Sequence, residues 1–471
     1  MTGKVTTRKP VTNPGEEPEY KNTLKVRDDV KPIQFSGTAG KYTLKAGTDT
    51  PWAGRADFSY TDLRHRIEPW LTSLFQSEHL SLLAGSGLTH AVHHSAVKKS
   101  AAGMEALVLS NYQTEIDQAA GQAAQAAGRS EGNLEDQLRV ANELLRGLEI
   151  LQKNDEADAL RRELQTGMQA FAESILASEA GIATASHEQR EQAFNTLVTF
   201  LMSFASRTGV RDRLNIFTTN YDRLIEVGAE LAGLHLLDRF VGKLMPIFRS
   251  SRLDLDMHYN PPGIRGEPRY LEGVARYTKL HGSVDWVQTG KDIRRIGLPF
   301  GAASVEPYLT APGLTGTSAH ELMIYPNSAK DRETSSYPYV ELFRDLASAV
   351  CRPNSTLVTY GYSFGDEHIN RVIRDMLTIP STHLVVISYN DPLGRIMQTY
   401  QELGRASQIS LMIGPELADL TTLTEHYLPK SAIDKTTFRM SELLKQRIGT
   451  ESQPAKAAIS GAGASEGDFV L

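Results

Sequence analysis

The stretch Leu214-Asn215-Ile216-Phe217-Thr218-Thr219-Asn220-Tyr221-Asp222 decides how this chain is read. Its first half is a short apolar run of strand character, and a helical pattern follows its second half. Between the two lie a threonine pair, an amide and a carboxylate. In open α/β sheets the carboxyl ends of the strands are where ligands bind. A turn needs only one or two polar residues, so this cluster predicts a ligand as well as a fold.

Working outward, further strand signals fall at Leu80–Leu83, Tyr277–Leu280, Leu322–Tyr325, Thr356–Tyr360, Leu384–Ser388 and Ile409–Ile413. Helical spacing runs from Tyr60 to Phe75, Val340 to Val350 and Glu367 to Leu377. Strands alternating with helices predict an α/β fold, a doubly wound parallel sheet of Rossmann-like type. Residues 98–210 are different, being dominated by Ala, Gln, Glu and Leu with no strand signal. Good helix formers summed over such windows predict a helical insertion, with a break at Gly128–Gly132. Residues 1–55 read as an irregular arm, 245–320 as a loop-rich segment, 416–450 as a C-terminal helical segment and 451–471 as a disordered tail. The domain between the arm and that C-terminal segment then covers 56–415.

Composition excludes several classes. The 471 residues carry a net charge of −6, which argues against nucleic acid held by bulk electrostatics. A single cysteine, Cys351, leaves no intramolecular disulfide and no multi-cysteine zinc site. The N-terminus has no apolar stretch, and the longest greasy window, Phe194–Ala205, is too short for a bilayer that takes about 20 apolar residues. A soluble, cytoplasmic protein is expected, without membrane contact or direct nucleic-acid binding.

Four strand ends carry the chemistry. Ala84-Gly85-Ser86-Gly87 turns a strand into a helix, where glycines permit close approach of a phosphate to a helix N-terminus. The Asn220 run is the second. Lys279-Leu280-His281-Gly282-Ser283 is the third, and its histidine suits general-base work near neutrality. The fourth is Tyr360-Gly361-Tyr362-Ser363-Phe364-Gly365-Asp366. That last run also fits the G-x-S-x-G nucleophile elbow, with Asp391 and His426 following in the order of a serine α/β-hydrolase. His90, His93 and His94 lack a carboxylate or cysteine partner at ligand spacing, and no metal site is expected.

Gly-Ser-Gly, Thr-Thr-Asn-Tyr-Asp, Leu-His-Gly and Gly-Tyr-Ser-Phe, in this order, resemble the sirtuin-like NAD-binding fold. The resemblance is closest to the NAD-cleaving proteins of prokaryotic antiphage defence. It implies that Asn220 orients the ribose and a water at the anomeric carbon, and that His281 is the base at the nicotinamide ribose. It assigns Ala84, Gly85, Ser86 and Gly87 to the pyrophosphate and Asp222, beside Thr219, to the nicotinamide amide. Gly361 and Ser363 would meet phosphate or ribose, and Asn390 the adenosine ribose. Two departures from the deacylases matter: the four zinc cysteines are missing, and Leu88-Thr89-His90-Ala91-Val92 replaces their Gly-Ile-Pro-Asp-Phe-Arg run. Both favour an NAD glycohydrolase using NAD as substrate, without zinc, that depletes NAD in abortive infection. An NAD-dependent protein deacylase, the Ser363/Asp391/His426 hydrolase and a non-catalytic NAD-binding sensor are the alternatives. Relatives of this kind imply a homo-oligomer and a partner acting in trans, a HerA-type ATPase or an Argonaute protein.

Overall fold

The computed structural model describes residues 21–430 apart from 39, 46, 49–56, 102, 104–105, 127–131, 133, 207–211, 252–254, 260–268, 290–291, 311–313 and 315–336. The expected strand Leu322–Tyr325, most of the helix break at 128–132, the first twenty residues, residues 431–450 of the expected C-terminal helical segment and the tail 451–471 lie outside these.

The centre is an eleven-stranded sheet. In chain order its strands are β1 (Asn22–Lys25), β2 (Ile33–Thr38), β3 (Lys41–Leu44), β4 (Asp57–Phe58), β5 (His79–Ala84), β6 (Leu214–Thr218), β7 (His235–Leu237), β8 (Val274–Lys279), β9 (Ser355–Tyr360), β10 (His383–Ser388) and β11 (Ile409–Ile413). Their order across the sheet is β4-β3-β2-β1-β11-β10-β9-β5-β6-β8-β7. From β11 to β7 every pairing is parallel. Strands β5, β6, β9 and β11 are buried throughout, as a parallel strand covered on both faces must be.

The covering helices divide between the faces. On one side α1 (Tyr60–Phe75), α2 (Ser86–Val97), α6 (His187–Ala205) and α7 (Leu224–Ala232) pack over Leu82, Ile216 and Val358. On the other, α8 (Tyr339–Val350), α9 (Glu367–Leu377) and α10 (Arg395–Leu403) cover Leu83, Phe217 and Leu357. Helix α1 shows how the sequence builds this, because Leu63, Ile67, Leu71 and Phe75 recur every fourth residue and all four are buried.

The expectation of an irregular arm is corrected for residues 22–44. They form an antiparallel meander that extends the sheet beyond β11, with Thr23 opposite Ile413 and Leu24 opposite Met412. The reason is an aromatic cluster: Phe35 lies 5.2 Å edge-on from both Tyr42 and Phe58. Strands of four to six residues separated by Pro and Gly carry too few alternations to stand out.

Helices α3 (Gln113–Ala126), α4 (Leu134–Ile150) and α5 (Asn154–Ala183) form a third core of their own with loop residues that follow β6 and β8. Leu138, Leu160 and Leu176 pack there with Tyr221, Val284 and Ile296. The loop-rich segment contributes a small four-stranded sheet, Trp286–Thr289, Asp292–Arg295, Ile247–Phe248 and Phe240–Val241. No helix among the described residues is long and apolar enough to cross a membrane.

Candidate active site at the strand ends

Register places the four motifs side by side. Tyr360 is level with Ala84, Ala84 with Thr218 and Thr218 with Lys279. The next residues, Gly361, Gly85, Thr219 and Leu280, therefore leave the sheet along one edge. From β5 the chain winds outward through β6 and β8 in one direction and through β9 to β11 in the other. The switch point lies between β5 and β9, where open sheets bind their ligands.

At that switch two loops meet backbone to backbone. Gly85 donates its amide to Tyr360 O at 2.9 Å, and Gly87 donates to Gly361 O at 3.0 Å. A Cβ on Gly85 would lie 2.5 Å from the Gly361 oxygen, and one on Gly87 2.5 Å from the Gly361 Cα. Gly361 itself has φ +61°, where a side chain is strained. These glycines thus serve the contact between two strand-end loops. Ala84 and Gly85 are buried, whereas Ser86, the first residue of α2, is exposed, and Gly85 before it offers no side-chain cap. The Gly87 and Leu88 amides of that helix start are taken by Gly361 O and Gly85 O, each at 3.0 Å, so what it offers an anion is its positive dipole end and the exposed Ser86.

The Asn220 run is locked to the same loop. Thr218 Oγ1 and the Thr219 amide both donate to Ala84 O, at 2.9 and 3.2 Å. Asn220 Nδ2 donates to Gly85 O and to Thr89 Oγ1, each at 2.9 Å. The Thr89 hydroxyl donates in turn to Asp222 Oδ2 at 2.5 Å, and Asp222 Oδ1 accepts the Leu224 amide at 3.0 Å. The Asn220 nitrogen is thereby committed, and its oxygen accepts nothing from the described residues. That oxygen is an acceptor held ready for a hydroxyl or water. His90 lies within range of the Asp222 charge; burial and His93 lower its pKa while Asp222 opposes them.

Strand β8 fastens the run from the other side. Lys279 is 3% exposed, donates to the carbonyls of Tyr221 and Asp222, and pairs with Glu226 at 3.1 Å. Ser283 Oγ and the Val284 amide add bonds to Tyr221 O at 3.3 and 3.0 Å. Arg223 is buried against Glu179 of α5: its amide donates to Glu179 Oε1 at 2.8 Å and its guanidinium spans both carboxylate oxygens. The same guanidinium also bonds the Leu298 and Pro299 carbonyls.

His281 sits just past β8 with 6% of its surface exposed. Its Nε2 is 2.9 Å from Asp366 Oδ2. Asp366 caps α9, accepting the amides of His368 and Ile369 at 2.8 and 3.3 Å. Burial alone would raise its carboxyl; the His281 hydrogen bond and charge, the His368 charge and the helix amides outweigh it and hold it at about 2. An ionised Asp366 accepts a hydrogen bond from Nε2–H, which leaves Nδ1 as the imidazole's basic face. That face looks toward Glu135 of α4, whose Oε1 is 4.0 Å from Nδ1 and 3.4 Å from the Tyr221 hydroxyl.

Asp366 and Glu135 are the site residues that sequence reasoning missed. Asp366 stood inside the quoted fourth motif, a carboxylate directly before a helical pattern, which is an N-cap signal. Glu135 gave no signal, lying 85 residues ahead of Asn220 in an alanine-rich helical run. Ser363 and Asn390 are exposed at the ends of β9 and β10, and Asn390's carbonyl accepts Ser388 Oγ at 2.8 Å.

The hydrolase triad is not assembled. Both Asp391 oxygens cap α10, accepting the Ile396 and Met397 amides at 3.1 and 3.0 Å, and the His426 ring stacks 4.4 Å from Tyr60. His93 Nδ1 meets the Lys99 carbonyl at 2.9 Å, and His94 is exposed. No cluster of three His, Cys, Asp or Glu residues in metal-holding geometry occurs among the described residues.

Sheet, switch point and strand-end cluster define a doubly wound α/β domain of Rossmann-like type. Residues 214–410 match the family described as a SIR2-like domain. No curated protein matches the chain significantly. The family match begins at β6, so β5, the glycine loop and the helical insertion fall ahead of it.

Proposed function

We propose that this chain is an NAD glycohydrolase that cleaves NAD to nicotinamide and ADP-ribose. The observation that supports the reading most is the pairing of an Asn220 oxygen with no partner among the described residues and a His281 oriented by Asp366. In the reaction the C1′–N bond breaks, its electron pair leaves with neutral nicotinamide, and the ribose becomes oxocarbenium-like. Water then bonds C1′ and gives up a proton, which His281 takes directly or through a ribose hydroxyl. Asn220 positions that water. Asp222 would hold the carboxamide, and Ser86 would receive the pyrophosphate at the start of α2, where Gly87, without a side chain, leaves room for it. Gly361 and Ser363 would border phosphate or ribose, and Asn390 the adenosine ribose. Preorganised polar groups of this kind act where charge develops in the transition state.

Water is favoured over a peptide as acceptor because one cysteine cannot build a four-cysteine zinc module. Depletion of NAD during phage infection is the biological role this activity fits. An activity so costly to the cell calls for control through self-association or a partner in trans, such as a HerA-type ATPase. The test combines three substrates. Purified protein should release nicotinamide from NAD, and Asn220→Ala and His281→Ala should each abolish release while the fold survives. Deacylation of an acetyl-lysine peptide, or esterase activity lost in Ser363→Ala, would replace this reading.

A further inference from the structure

The helical insertion does more than cover the sheet. Its α4 turns Leu134, Leu138 and Ala141 into the third core, yet it also aims a carboxylate inward at Glu135. That side chain is 23% exposed, and no Lys or Arg among the described residues pairs with it. Its nearest polar neighbours among the described residues are the Tyr221 hydroxyl at 3.4 Å and His281 Nδ1 at 4.0 Å. A helix that only had to pack would do better with an apolar residue here, because a half-satisfied, part-buried carboxylate costs stability.

The two carboxylates beside His281 are treated oppositely by their surroundings. Asp366 accepts helix-start amides and is held low. Burial pushes Glu135 up, with Asp366 and Asp136 adding to the rise, while His281 and the Tyr221 hydroxyl oppose it. Paired titratable groups pushed apart in this way mark acid–base machinery. Among the described residues, the groups facing the imidazole include Asp366 and, behind it, His368 from α9, Glu135 and Asp136 from α4, and Tyr221 from the β6 loop.

We propose that Glu135 is a positioning residue for the NAD-cleaving step, contributed by the helical insertion and acting through His281. Resting on the glycohydrolase reading, it has a defined moment of action. When His281 accepts the proton of the water that bonds C1′, the imidazolium lies between two carboxylates. Asp366 holds the Nε2 side and Glu135 faces the Nδ1 side.

Two substitutions separate this from packing. In Glu135→Gln and Glu135→Leu, kcat for nicotinamide release should fall about tenfold or more while KM stays within about twofold. Glu135→Leu should unfold at the same or a higher denaturant concentration, so the loss is not one of folding. In the ligand-free protein, 15N NMR of the His281 ring should show its protonation midpoint dropping by about one unit in both variants. Wild-type kcat and an unmoved midpoint in both would overturn the proposal. If the wild type leaves NAD intact, the glycohydrolase reading fails, and the midpoint alone then decides: unmoved, it sinks the role of Glu135 as well.

Discussion

The sheet edge and the helical insertion grip the same four residues, Asn220 to Arg223, by different means. The sheet edge acts mainly through the backbone: Gly85 O and Thr89 hold Asn220, while Lys279 and Ser283 hold the Tyr221 carbonyl. The insertion uses long charged and aromatic side chains. Glu179 clamps Arg223, Phe171 packs edge-on to Tyr221 at 5.6 Å, and Glu135 reaches the Tyr221 hydroxyl. The edge therefore fixes where the functional atoms lie, and the insertion sets part of the charge around them.

The comparison breaks first on activity. His281→Ala and Asn220→Ala act on the edge and should each lower nicotinamide release by about 100-fold or more, with little change in urea unfolding. The insertion's grip is tested next by Glu179→Ala, which strands a guanidinium that is 6% exposed. Breaking a buried pair costs about 3–5 kcal/mol, and the urea midpoint should fall accordingly. Removing both charges, in Glu179→Leu with Arg223→Met, should recover most of that loss. Gly361→Ala sharpens the edge side: a Cβ 2.5 Å from Gly87 at φ +61° should cost at least about 2 kcal/mol and loosen the loop contact.

Smaller effects follow. Asp366 has its carboxyl lowered in the folded state, so it adds stability above its ordinary value of 3.8 that is lost as pH falls through about 2. Asp366→Asn should flatten the acid side of the stability curve in that window, measured by denaturant unfolding. Asn390→Ala, at the exposed end of β10, should raise KM for NAD a few-fold and leave unfolding unchanged.

The edge was legible because its signals are local. Each motif follows an apolar run by one or two residues, and the parallel sheet lines up those ends automatically. Thr218, Ala84, Tyr360 and Lys279 share one row for no reason beyond strand register. The roles of the glycines were less legible, since only the fold brings Gly87 against Gly361, 274 positions later. The insertion showed its helices through composition but hid its chemistry. Nothing near Glu135 or Glu179 distinguishes them from the exposed glutamates of the same helices. The edge meander at 22–44 was missed for a third reason, because its short strands draw their stability from distant partners such as Ile413 and Phe58.

The most direct test incubates the full-length chain with NAD, alone and with the products of its neighbouring genes, and quantifies both products by chromatography. Nicotinamide and ADP-ribose are expected in equal amounts, with both lowered about 100-fold or more in Asn220→Ala. NAD left intact by the wild type under both conditions would contradict the glycohydrolase reading.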